Sequence, residues 1–302
     1  MGFGSYSDRS YASYASTARD KPREELFHRT SAFAPVKSGQ EVAVDKIAYR
    51  ESRDSEAHPC SLPVIVGLDV SGSMGVLAEH ILKKGLGTLV GELIQRRVVP
   101  DPHMLFLAIG DAVYGDRQPL QATQFEADTT ICKQLEDLWL EGGGGGNNYE
   151  SYDLAWVFAA YKTKTDAWER RQAKGYVVTV GDECFPGSSA VTWLRTVFGS
   201  DCPQSPTPES LLADCEQRYR TFHVVISEGI YCRQYGLDKV LASWQERLQK
   251  RVLVLSDYEC LPELVVSALA LDRAVPLDEV LSWWPAGVAQ TIRSALPKES
   301  QA

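Results

Sequence analysis

The sequence predicts a doubly wound α/β fold with a mostly parallel, six-stranded sheet, one antiparallel edge strand and helices on both faces. First, short apolar runs alternate with longer segments of helical periodicity, which is the pattern of βαβ units. Second, the run at 62–68 is an unbroken apolar series rich in β-branched residues, typical of a parallel strand buried on both faces. Third, the chain has 302 residues, of which 44% are hydrophobic, enough for one large core.

The elements follow one another in a regular order. After the first strand, apolar residues at helical spacing from Val76 to Ile94 predict a long helix. A polar turn at 111–119 precedes a segment expected to return as the antiparallel edge, and five consecutive glycines at 142–146 predict a loop. The predicted strands are 63–70, 104–109, 120–125, 176–180, 221–226 and 252–256. The predicted helices are 75–97, 130–140, 149–161, 190–197, 208–219, 235–249, 261–271, 277–284 and 287–296.

Composition divides the chain into four parts. Residues 1–40 are biased toward Ser, Ala and Tyr and predict a flexible arm, with docking on the body or on another subunit as the alternative. Residues 41–60 form a charged lead-in that includes a candidate edge strand at 42–49. This lead-in is expected to be a solvated linker or an ordered segment in which Arg50 and Arg53 hold carboxylates. Residues 61–272 form the α/β domain, and 273–302 form a helical extension.

Charge and cysteine content narrow the function classes. The net charge is −9, and from residue 63 onward 22 basic residues face 31 acidic ones. An acidic body favours cations and argues against a nucleic-acid partner. The seven cysteines form no Cys-x-x-Cys pair, and no apolar run reaches transmembrane length or forms a leader. We therefore expect a cytoplasmic protein without a membrane partner.

The end of the first strand carries the strongest candidate site. Asp69-Val70-Ser71-Gly72-Ser73 places one carboxylate and two hydroxyls at a strand-to-helix turn, where ligands of open α/β sheets bind. Three hard oxygens suit Mg²⁺, Mn²⁺ or Ca²⁺. One alternative is a serine-rich turn that caps a helix. A nucleophile elbow is another, but its first glycine is missing.

The pentapeptide resembles the Asp-x-Ser-x-Ser opening of the metal-ion-dependent adhesion site of von Willebrand factor A domains. The resemblance covers about 61–272 and implies a Rossmann-like fold with a cation held by three loops. The family's second loop usually carries a threonine after glycines, and Asn147 stands at that place, with Asn148, Glu150 and Ser151 as nearby substitutes. The third loop supplies an aspartate after the fourth strand, which corresponds to Asp182.

The resemblance implies a binding protein rather than an enzyme. The expected metal ligands are Asp69, Ser71, Ser73, Asn147, Asn148 and Asp182. Mg²⁺ is the favoured ion, and its open coordination position would accept a carboxylate from a protein partner. The partner is expected to be part of an AAA+ ATPase assembly or another copy of this chain.

Two further acids, Asp111 and Asp257, also follow predicted strands. Asp111 is expected to be a peripheral site residue or a turn residue, and Asp257 is expected to cap a helix. A structural, oligomer-forming protein with a degenerate metal site is one alternative function. A metal-assisted hydrolase is another, but none of the five histidines follows a motif strand to serve as a general base.

Overall fold

The computed structural model describes residues 4–27, 48–112, 116, 119–138, 140, 149–187, 194, 198 and 206–297. The predicted fold class is confirmed, because a six-stranded, mostly parallel sheet is packed between helices. No helix in these ranges has the length and apolar character needed to cross a membrane.

Eight strands form two sheets. They are β1 (Arg50–Ser52), β2 (Leu62–Asp69), β3 (Pro102–Ile109), β4 (Leu120–Ala122), β5 (Thr163–Thr165), β6 (Gly175–Gly181), β7 (Tyr219–Ile226) and β8 (Val252–Leu255). The main sheet has the order β4-β3-β2-β6-β7-β8, in which only β4 runs antiparallel to its neighbour. The predicted antiparallel edge is thus confirmed. The sequence did not predict the small parallel pair of β1 and β5.

Thirteen helices lie in the described ranges. They are α1 (Asp8–Ala18), α2 (Arg23–Leu26), α3 (Gly75–His80), α4 (Leu86–Gln95), α5 (Thr130–Glu136), α6 (Asp153–Tyr161), α7 (Asp166–Arg171), α8 (Pro208–Arg218), α9 (Ile230–Tyr235), α10 (Leu237–Leu248), α11 (Leu261–Asp272), α12 (Leu277–Ser282) and α13 (Ala286–Ala295). The predicted helix at 190–197 falls almost wholly outside the described residues.

One predicted helix is interrupted. The helix after β2 changes to a π turn at Ile81–Gly85 between α3 and α4. A Cβ at Gly85 would lie 2.7 Å from the Pro262 ring, so the glycine lets the turn approach α11 closely. The helix predicted at 235–249 is present as α10, which starts after Gly236, where a φ of +96° separates it from α9.

The core has one layer on each face of the sheet. Val64, Val66 and Leu68 of β2 pack with α3, α4 and α11 on one face. Ile65 packs on the other face, against α6 and α10. This alternation along a fully buried strand follows from the two-residue period of β structure, and it explains why the run contains no polar residue before Asp69.

Part of the N-terminal arm is helical and docks on the body, the second of the two alternatives left open for it. Ser7 caps α1, and its hydroxyl accepts a hydrogen bond from the Ser10 backbone N–H. Tyr11 is buried, and the Tyr14 hydroxyl donates to the Glu136 carboxylate of α5 at 2.5 Å. The tyrosines of α1 therefore attach this helix to the body, although its other residues are mostly small or polar.

The lead-in is ordered where the structure describes it, from residue 48 onward. Arg53 pairs with the carboxylates of Glu51, Asp166 and Glu169, as expected for an ordered segment. Among the described residues, the Arg50 guanidinium donates to the backbone carbonyls of Ala122 and Thr123 rather than to a carboxylate. The lead-in is thereby attached to the antiparallel edge of the main sheet.

The C-terminal extension packs on the core. Arg96 lies over the rings of Trp283 and Trp284, at 4.8 and 5.3 Å from their centroids. The Trp284 indole N–H donates to the Ser267 hydroxyl of α11 at 2.9 Å. These tryptophans therefore serve the fold of this chain.

Candidate metal centre

The candidate metal centre lies where the strand order of the sheet reverses. β2 pairs with β3 on one side and with β6 on the other, and later strands continue outward from β6. Asp69 is the last residue of β2, and Asp182 follows the last residue of β6. Since Leu68 pairs with Val180, both aspartates leave the sheet at the same edge. Ligands of open α/β sheets bind at such a reversal.

Asp69 is fully buried and hydrogen-bonded through both carboxylate oxygens. Its Oδ1 accepts from the Ser71 backbone N–H at 2.8 Å and from the Ser71 hydroxyl at 2.6 Å. Its Oδ2 accepts from the Tyr152 hydroxyl at 2.8 Å. Asp69 and Ser71 are therefore in direct contact, and their oxygens point into one small region.

Tyr152 is a site residue that the sequence analysis did not find. It is fully buried, and its ring meets the rings of His223 and Trp244 edge-on at 5.2 and 5.3 Å. A Cβ at Gly181 would lie 2.0 Å from the tyrosine hydroxyl, so only glycine fits there. This packing fixes the hydroxyl beside Asp69.

Asp182 is held by the segment that follows β7. Its Oδ2 accepts from the Tyr231 backbone N–H at 2.8 Å. A Cβ at Gly229 would lie 2.2 Å from the same oxygen, so the chain passes directly over the carboxylate. The side chain is 3% exposed. The aspartate expected in the third loop is thus brought to the Asp69 edge.

The second loop is described only in part. Asn147 and Asn148 lie outside the described residues, as does the side chain of Ser73, whose backbone belongs to a 3₁₀ turn at Gly72–Met74. Glu150 is 2% exposed, and its Oε2 has no hydrogen-bond partner among the described residues. The Ser151 hydroxyl accepts from the Ala112 backbone N–H at 3.0 Å, which ties this loop to the end of β3.

Burial and mutual repulsion raise the pKa values of the carboxyls in the cluster. Burial, followed by the Asp182 charge, raises the pKa of Asp69 despite the hydrogen bonds it accepts. Burial, then Asp69 and Glu183, raises the pKa of Glu150. Burial, then Asp69 and Asp182, raises the pKa of Glu183 to about 8. The strongest influences on these carboxyls are burial and one another rather than a lysine or arginine, so a divalent cation would relieve their mutual repulsion.

The donor set fits a hard cation. Carboxylate and hydroxyl oxygens are the ligands that Mg²⁺ and Ca²⁺ prefer, and Glu150 and Glu183 each keep one buried oxygen unpartnered within the described ranges. Asp111 is 1% exposed beside the cluster, where its charge raises the pKa of Glu183. Asp257 is a turn cap, as expected, because its carboxylate accepts from the Glu259 backbone N–H.

An apolar groove of about 240 Å³ lies next to the Asp182 end of the cluster. Its lining includes Met74, directly after the motif, and Ile230, next to the residue that binds Asp182. Ile230 is 52% exposed, and Arg233 on the same short helix is exposed as well. The groove therefore combines apolar surface with one cationic side chain, Arg233, and one acidic side chain, Glu228, beside the buried acids.

A second group of potential metal ligands lies at the opposite edge of the sheet. One ligand atom each from His58, Asp101 and His103 fall within 4.8 Å of one another. These residues were not predicted as metal ligands, because candidate ligands were expected after the strands, whereas His58 precedes β2 and His103 is the second residue of β3. The short spacing of Asp101 and His103 is the sequence feature that could have indicated the group.

No family model and no curated protein matches this chain. Among solved structures, the chain is similar to the pilus adhesin SpaC from Lactobacillus rhamnosus GG, with 8% identity, a TM-score of 0.46, and coverage of 74% of this chain and 31% of that one. It is also similar to proximal thread matrix protein 1 of the mussel byssus, with 10% identity, a TM-score of 0.45, and coverage of 74% and 49%. The chain thus spans about a third to a half of the length of these structures.

Proposed function

We propose that the protein is a metal-dependent protein-interaction module of the von Willebrand factor A type. Asp69, Ser71 and Asp182 would hold a divalent cation, with Mg²⁺ as the favoured ion and Ser73, Asn147 and Asn148 as further expected ligands. A bound cation would offer an open position to a carboxylate of the partner. The protein would act as an adaptor within a larger assembly, of the AAA+ or oligomeric kind.

One observation carries this proposal. Asp69 and Asp182 come from strands 113 positions apart, yet both are buried at the point where the sheet reverses its strand order. Burying carboxylates without a neutralising cation destabilises a fold, so the clustering of these two acids favours a function that uses their negative charge.

The surface beside the cluster favours a protein as the ligand. Ile230 and Tyr235 on α9 are 52% and 54% exposed, and both are large and apolar. An exposed apolar surface beside buried acids suits a partner that presents an acidic side chain flanked by apolar ones. Arg233 between them offers a second contact for that acidic group.

A cytoplasmic location belongs to the same proposal. The six cysteines in the described part of the chain are all free. Free thiols, one of them the exposed Cys60, favour a reducing compartment.

Metal-dependent capture tests the function. The immobilised chain is incubated with lysate in Mg²⁺ or in chelator, and the Asp69→Asn variant is compared with Asp257→Asn, a matched aspartate on the same sheet edge that only caps a turn. We expect defined proteins to be retained in Mg²⁺ by the wild type and by Asp257→Asn. Retention should disappear in chelator, in Asp69→Asn, and after carbodiimide amidation of the lysate carboxylates. Capture that is indifferent to metal and to Asp69→Asn would contradict the proposal, as would metal-dependent turnover in a phosphatase and esterase panel.

A further inference from the structure

We propose that His58, Asp101 and His103 form a second metal site, selective for a divalent transition metal of the Zn²⁺ class. The three residues meet at the amino ends of β2 and β3, the opposite edge of the sheet from Asp69. The Leu62 backbone N–H donates to the Asp101 carbonyl at 2.8 Å, which joins the start of β2 to the residue before β3. This site shares no residue with the proposed magnesium site.

The ligand chemistry favours zinc over magnesium. Two imidazoles and one carboxylate are a common zinc-binding set, whereas Mg²⁺ prefers oxygen ligands alone. The His58 and His103 rings lie 5.1 Å apart at 73° to each other, so nitrogen atoms of both approach the same carboxylate. Three protein ligands would leave the fourth tetrahedral position to water.

His103 supplies an independent observation. Its side chain is 96% buried, and its Nε2 has no hydrogen-bond partner among the described residues. Its Nδ1 lies 3.1 Å from the hydroxyl of Ser52, a fully buried residue of β1. Such a hydrogen bond orients the ring, and with Nε2 on a metal the Nδ1–H would donate to the Ser52 hydroxyl. The buried Nε2, which no described residue contacts by a hydrogen bond, is thereby left for a cation.

Asp101 and His58 are already positioned as a pair. The distance from His58 Nδ1 to Asp101 Oδ1 is 2.5 Å, and the other carboxylate oxygen accepts from the Cys60 backbone N–H at 3.2 Å. His58 Nε2 lies 2.8 Å from the Gly4 carbonyl of the N-terminal arm. A cation bound by both residues would replace the hydrogen bond between His58 Nδ1 and Asp101 Oδ1.

Zinc and cobalt titrations test the site. The chelator-treated full-length chain carries Cys60→Ser, which removes the exposed thiol as a competing ligand. Zn²⁺ binding is measured by calorimetry, and the Co²⁺ visible spectrum reports the geometry. His103→Gln is compared with His80→Gln, a partly buried histidine on α3 whose ring contacts Tyr258. Asp101→Asn serves as a second ligand variant if His103→Gln does not fold.

We expect one equivalent of Zn²⁺ to bind, with a tetrahedral Co²⁺ spectrum lacking thiolate charge-transfer bands. The ligand variants should bind at least about tenfold more weakly, and His80→Gln should bind as tightly as the parent. Absent binding in the parent, or equal affinity in parent and ligand variants, would overturn the proposal. Because Asp69→Asn should leave Zn²⁺ binding unchanged and His103→Gln should leave Mg²⁺ binding unchanged, the two site proposals fail separately.

Discussion

Removing the Tyr152 hydroxyl should destabilise the protein more than removing another buried tyrosine hydroxyl. Tyr152→Phe keeps the ring, and therefore its contacts with His223 and Trp244, but deletes the donor to Asp69 Oδ2. A hydrogen bond to a charged group contributes about 1.5–3 kcal/mol, and a neutral one about 0.5–1.5 kcal/mol. Tyr219→Phe is the matched control, because Tyr219 is also fully buried and its hydroxyl bonds to the Thr163 hydroxyl at 2.7 Å.

The assay is urea unfolding in chelator at mildly alkaline pH, above the Asp69 pKa of about 7. We expect Tyr152→Phe to lose about 1 kcal/mol more free energy of unfolding than Tyr219→Phe, with the same dependence on urea. If the two variants lost the same free energy, or if Tyr152→Phe were as stable as the wild type, Asp69 would not be the charged acceptor that the structure indicates.

Three further predictions concern the same fold. Gly229→Ala should weaken Mg²⁺ binding at least about tenfold by calorimetry, because the new Cβ would lie 2.2 Å from Asp182 Oδ2, whereas Gly187→Ala, with open space around it, should not. Burial raises the pKa of Asp153 from 3.8 to about 7, so the folded chain holds this proton more tightly than the unfolded chain. Wild type should therefore lose stability relative to Asp153→Asn as pH rises from 3.8 to about 7, by up to about 4 kcal/mol in total, and the difference should stay constant above that range. Urea unfolding across pH should show no such divergence if the carboxyl is solvated. Tyr11→Ala should destabilise the chain by about 3 kcal/mol and make α1 the first site of limited proteolysis, and unchanged cleavage would show that the arm is not docked.

The sheet was predictable from the sequence because its signals are local. Each main strand is a short apolar run, and the alternation with helices fixes the fold class without knowledge of any distant contact. Asp182 was predicted because the resemblance to von Willebrand factor A domains implies an aspartate after the fourth strand, and the structure places it at the same sheet edge as Asp69. The binding of a cation at this edge and the nature of the partner remain predictions.

The residues that complete the sites depend on contacts between distant parts of the chain. Tyr152 lies 83 positions from the carboxylate that it contacts, and only the packing of α6 against the sheet brings them together. His58 and His103 meet because the neighbouring parallel strands β2 and β3 start at the same edge of the sheet. The docking of α1 was left open because its apolar content is low, and a few tyrosines hold it.

Calorimetric titration of Mg²⁺ into the chelator-treated chain tests directly whether the Asp69 cluster binds a cation. We expect saturable binding of one Mg²⁺ per chain, loss of that binding in Asp69→Asn and its retention in Asp257→Asn. Absent binding in the wild type, or equal binding in wild type and Asp69→Asn, would contradict the assignment of a cation to Asp69, Ser71 and Asp182.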